Sequence, residues 1–113
     1  MTDFNDIYPK RNCEHEINDD LVTVLYVKKK LNFIDRTFFK KISAKPYKID
    51  LDEIGSFIWK LCDGKNSVGE ITEISRDRFK EKIEPAEERI EKFIKQMNQN
   101  KLVSLFEKKI KNK

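Results

Sequence analysis

Residues 51–71 read LDEIGSFIWKLCDGKNSVGEI, and this stretch spells helix, tight turn, helix. Asp52 is placed as an N-cap, its carboxylate available to the first free backbone N–H groups. Ile54, Phe57, Ile58 and Leu61 recur at helical spacing and form one apolar stripe. Asp63-Gly64 stops this helix, because glycine accepts the left-handed backbone that a helix end often needs. Ser67-Val68-Gly69-Glu70 is a capping box that starts a second helix. Helices joined this tightly cross steeply and share a core, which Trp59 and Phe57, the bulkiest residues of the first helix, are expected to anchor.

Upstream, Tyr47, Ile49 and Leu51 alternate with Lys48 and Asp50, the period of a half-buried strand. Pro46 at its start suits an edge strand, where a missing N–H does no harm. Leu21–Lys28, rich in Val, Leu and Tyr, is the strongest strand signal. Asn18-Asp19-Asp20 is a turn signal that joins it to a weaker strand at Cys13–Ile17. Residues 1–11 read as a flexible lead-in. Between the second and third strands, Phe33, Ile34, Phe38, Phe39 and Ile42 suggest a short helix within 29–45. Downstream, Pro85 opens a third helix. Its apolar face is Ala86, Ile90, Phe93, Ile94 and Met97, and Asn98-Gln99-Asn100 ends it. Leu102–Phe106 reads as a final strand, and Glu107–Lys113 as a charged tail that frays. The resulting class is α+β: a small N-terminal antiparallel sheet, three helices and a short C-terminal strand, on a winged helix-turn-helix-like plan. The expected organisation is a single domain over residues 12–106.

The 113 residues suffice for one modest core. Charged residues make up 39%, yet the apolar 38% is clustered in periodic blocks, which argues against disorder. No apolar run approaches the length of a membrane span, and MTDFNDIYPKRN lacks the layout of a signal peptide. Cys13 and Cys62 are the only cysteines and form no CxxC, so free thiols and a cytoplasmic location are expected.

The positions Gly55, Trp59, Asp63, Gly64, Ser67, Val68, Glu70 and Ile71 resemble the signature of the PQQ synthesis protein D (PqqD-like) family. With the upstream strands and the third helix, the resemblance covers roughly residues 8–106. It implies a peptide-recognition domain for ribosomally made, modified peptides, with no chemistry of its own. It implies that the leader of a precursor peptide lies as an extra strand between the third strand and the third helix, presented to a radical SAM-type modifying enzyme. On this sequence the strand is Pro46, Tyr47, Lys48, Ile49, Asp50 and Leu51. The facing apolar wall is Ile90, Phe93, Ile94 and Met97. Strand addition satisfies an edge's unpaired backbone groups while pockets select side chains. The long basic insert at 29–45 departs from compact family members and leaves open which peptide pathway is served. Exposed sheet edges also permit a strand-swapped homodimer.

No catalytic, metal-binding or phosphate-binding constellation stands out, so neither enzyme activity nor cofactor nor metal is expected. His15, between Glu14 and Glu16, reads as a surface strand residue. Asp50, Asp52 and Glu53 read as acidic residues favoured at a helix N-terminus. The competing reading is a winged-helix DNA-binding transcriptional regulator. Against it, residues 80–99 hold Lys80, Lys82, Arg89, Lys92 and Lys95 but also Glu81, Glu84, Glu87, Glu88 and Glu91. Such a helix gains no net counterion release on DNA. The net charge is +4 with a pI near 9.0. Much of the basic charge sits in one run: Lys28, Lys29, Lys30, Arg36, Lys40, Lys41, Lys45 and Lys48, against Asp35 alone. This run is expected to steer an acidic leader or a partner enzyme.

Overall fold

The structure, a computed structural model, describes residues 3–26 and 47–109. The short helix expected within 29–45, Pro46 and the last residues of the second expected strand lie outside them. The described chain is α+β, with two small antiparallel sheets and three helices.

Strand β2 (Glu14–Asn18) returns as β3 (Leu21–Tyr26) through Asp19 and Asp20, whose φ angles are 52° and 67°. Two successive left-handed residues match the natural twist of a hairpin, so the turn signal in the sequence becomes a two-residue turn. β4 (Tyr47–Asp50) adds to the other side of β3, giving the order β2-β3-β4. Val24 stands opposite His15 on one side and Ile49 on the other. Past the strand, Leu51 N donates to Val22 O at 2.9 Å.

Helix α1 (Glu53–Leu61) starts on the Asp52 cap, whose carboxylate accepts from Gly55 N at 2.7 Å. Asp63 Oδ1 then accepts from Lys65 N and Asn66 N, and Gly64 takes φ 79°. Helix α2 (Val68–Phe79) carries the full capping box: Glu70 N donates to Ser67 Oγ and Ser67 N donates to Glu70 Oε1. A 3-10 turn, Lys80–Ile83, leads to helix α3 (Ala86–Gln99). Pro85 occupies the N-cap rather than the first turn, and offers no side-chain acceptor. Glu84 supplies it instead, accepting from Ala86 N at 3.0 Å. That bond, followed by the Arg76 guanidinium at 3.1 Å, holds the Glu84 carboxyl below its ordinary range.

The expectation of a flexible lead-in does not hold for residues 4–11. Phe4–Asp6 forms a 3-10 turn, and β1 (Tyr8–Arg11) pairs antiparallel with β5 (Val103–Phe106). Val68 N donates to Ile7 O, Gly64 N to Pro9 O and Arg11 N to Cys62 O, all within 2.9 Å. Arg11 Nη1 also donates to the carbonyls of Trp59 and Lys60, at 3.0 and 2.8 Å. A cation on the last carbonyls of α1 meets the negative end of its dipole. Tyr-Pro-Lys-Arg carries no alternation and contains a proline, so the period that reveals a strand is missing here.

The apolar side chains gather in two clusters. Ile58, Cys62, Val68, Ile71, Phe79, Ile83, Ala86, Ile90 and Ile94 join the three helices. Val22, Val24, Trp59, Leu102 and Val103 join the three-stranded sheet to α1 and β5. Helix α1 lies between them, giving Ile58 to one and Trp59 to the other. Trp59 is an anchor as expected, being fully buried. Phe57 is only half-buried and meets Phe79 edge to face, with centroids 5.2 Å apart.

Candidate functional site

Among the described residues β4 pairs with β3 alone. Its other edge therefore carries backbone donors and acceptors with no partner among the described strands, and an unpaired edge is a template for another strand. The side chains of residues 47–51 follow the alternation at Ile49 and Leu51 but not at Tyr47. Ile49 and Leu51 are half-buried against the Val22, Val24 and Trp59 cluster, and Met97 of α3 packs on the same cluster. Tyr47 is 62% exposed, with its ring 6.5 Å from that of Tyr26 across the ladder. Lys48 and Asp50 are exposed. Asp50 is a cross-strand acceptor, taking a hydrogen bond from Thr23 Oγ1 at 2.7 Å; the helix dipole is served by Asp52.

The α3 residues expected to face a ligand separate into two kinds. Phe93 and Met97 are half-buried and retain apolar surface. Ile90 and Ile94 are fully buried in the helical core, and stand behind the wall. The reason is helical geometry: positions 86, 90 and 94 follow one line along α3 and point at the same neighbours. Gly55 fixes where Phe93 lies. A Cβ at that position would stand 3.3 Å from Phe93 Cε1, 3.5 Å from Leu51 Cβ and 3.0 Å from Asp52 Oδ1. Glycine thus lets the Phe93 ring close over the start of α1, beside Leu51. The result is an apolar ledge of Ile49, Leu51, Phe93 and Met97, with Trp59 beneath it. Gly55 was legible as part of the helix motif, but its role depends on a contact with α3 that spacing does not reveal.

A cavity of about 470 Å³ opens elsewhere, lined by Asp19, Asp20, Leu21, Glu53, Phe57, Lys60, Arg78 and Phe79. Glu53, Phe57 and Lys60 lie on the side of α1 opposite Gly55 and Trp59, so this cavity is separate from the ledge. An added strand needs an edge and a ledge, not an enclosed space.

His15 corrects the expectation of a surface residue. It is half-buried, and its Nδ1 accepts from Trp59 Nε1 at 3.1 Å. Burial, then the charges of Arg11 and Lys60, lower its pKa from 6.5. Burial pushes the Cys62 thiol up to about 12, and its Sγ donates to Ile58 O. Cys13 is raised by the same cause. Both thiols are free. Among the described residues no group of His, Cys, Asp or Glu is arranged to hold a metal ion, and no helix is long and apolar enough to cross a membrane.

A small α+β domain whose edge strand is unpaired among the described strands, with an apolar face on its last helix, defines a class of binding scaffold. This chain belongs to the PqqD family: the model for coenzyme PQQ synthesis protein D matches residues 46–103, just over half of its length. The match begins at the edge strand and takes in α1, α2 and α3. No curated protein and no solved structure matches the chain. Membership supports a peptide-binding, accessory role of the PQQ-synthesis kind.

Proposed function

We propose that this protein binds the leader of a ribosomally made precursor peptide as a strand added to β4, and presents it to a radical SAM-type modifying enzyme. The observation that supports this reading is the outer edge of β4, unpaired among the described strands, together with half-buried Met97 on the same apolar cluster as Ile49 and Leu51. A guest strand there completes the ladder with its backbone and places alternate side chains on the Ile49, Leu51, Phe93 and Met97 ledge. Methionine and phenylalanine suit such a surface: the first adapts to varied apolar partners and the second offers a large apolar area. Pro46, which precedes this strand in the sequence, and the basic run ending at Lys48 belong to the same proposed approach, the run drawing in an acidic leader. The free thiols fit a cytoplasmic location. A homodimer that paired through β4 would compete with the peptide for the same edge.

No observation favours the DNA-binding reading: the exposed residues of α3 include Glu87 and Glu88 as well as Arg89, Lys92 and Lys95. The test is a titration with synthetic leader peptides of candidate precursors, beside a gel shift with non-specific duplex DNA. Peptide binding that weakens as salt rises, with no DNA shift, is the expected result. Duplex binding without peptide binding would overturn the reading.

A further inference from the structure

His15 and Trp59 are the one histidine and the one tryptophan of the chain, and the fold brings them together. Trp59 Nε1 donates to His15 Nδ1 at 3.1 Å, and the rings meet edge to face with centroids 6.1 Å apart. His15 belongs to β2 and Trp59 to α1, so the bond ties the outer hairpin to the central helix. Trp59 is fully buried, and a buried N–H without an acceptor is costly.

We propose that this pair is an acid-sensitive latch, in which protonation of His15 frees the Trp59 N–H and loosens β2 from α1. The bond requires a neutral imidazole with its proton on Nε2 and its lone pair on Nδ1. An added proton takes that lone pair. Two N–H donors then face each other, and the indole N–H has lost its acceptor. The charged groups that act on His15 from neighbouring elements are Arg11 of β1 and Lys60 of α1, both cations. Across the ladder β3 presents Val24, which carries no charge. Glu14 and Glu16, on either side of His15, are exposed and alternate onto the opposite face of β2. No carboxylate on these elements is therefore placed to stabilise the imidazolium.

The surroundings hold the folded pKa of His15 below 6.5. The folded state then binds this proton less readily than the unfolded chain. The latch contributes its full stability above 6.5, and that contribution is lost as pH falls from there through the folded value. Trp59 shares its cluster with Ile49, Leu51 and Met97, so an opened latch also disturbs the floor of the ledge. That last consequence rests on the peptide-binding reading; the latch does not.

The full chain decides the matter in an NMR titration from about pH 8 to about pH 5, the range in which a histidine titrates. The His15 Cε1 proton and the Trp59 Nε1 proton should move with one shared midpoint below 6.5, and Trp59 fluorescence should follow them. His15→Gln, which offers an oxygen acceptor that does not titrate in this range, should make the Trp59 signals flat. A Trp59 signal that stays flat while His15 titrates, or a His15 midpoint at or above 6.5, would overturn the latch. So would a Trp59 transition that survives in His15→Gln. The unsubstituted protein alone suffices if that variant does not fold.

Discussion

Ser56 and Ser75 are both buried serines on helices, yet their environments are opposite. Ser56 Oγ accepts from Val22 N at 2.8 Å and donates to Leu51 O at 3.3 Å, linking α1 to the central strand. Ser56→Ala strands the Val22 N–H inside the core, and should cost about 1–3 kcal/mol in urea unfolding. Ser75 Oγ is buried with no partner among the described residues. Ser75→Ala removes an unsatisfied hydroxyl, and the unfolding midpoint should hold or rise. Cys62 and Cys13 give a second contrast. With Cys62 fully buried and its thiol pushed up to about 12, a neutral-pH thiol reagent should modify half-buried Cys13 first. Cys62 should react only as fast as the protein opens, which a mass-spectrometric time course measures. None of this is visible at the level of residue type. A serine in an apolar stripe looks the same whether or not its hydroxyl meets a strand, and the pairing of His15 with Trp59 spans 44 positions.

The elements were more legible than the contacts between them. The Asp52 cap, the Asp63-Gly64 stop and the Ser67–Glu70 box are local devices, and local devices are written in adjacent residues. β1 escaped notice because Tyr8–Arg11 has no alternation and its partner, β5, is at the far end of the chain. For the site, alternation in 47–51 identified the half-buried pair Ile49 and Leu51. The α3 periodicity identified an apolar face but not its depth, so Ile90 and Ile94 entered with Phe93 and Met97. Only packing separates core from ledge. Two substitutions test the ledge as an element. Phe93→Ala removes its aromatic wall, whereas Gly55→Ala drives a methyl toward Phe93 Cε1 and the Asp52 cap. Each should weaken leader binding about tenfold or more, roughly 1.4 kcal/mol, as read by calorimetric titration of variants first shown to be folded. Unchanged affinity in both would place the peptide elsewhere.

For the whole molecule, the two apolar clusters make α1 the shared beam, with helices on one side and the sheet on the other. Its two ends are fastened by different parts of the chain, Asp52 at the start and Arg11 at the finish. This arrangement supports β4 through β3, and the other edge of β4 is unpaired among the described strands. The family match, from residue 46 to residue 103, covers β4 and the three helices of that arrangement. The central claim is that a leader peptide completes the β4 ladder, and backbone hydrogen exchange with and without the leader tests it most directly. Amides within 47–51 should become protected when the peptide is added, with side-chain shifts at Phe93 and Met97. Peptide binding that leaves 47–51 exchanging as before, and instead protects residues around the Phe57 and Phe79 cavity, would contradict it.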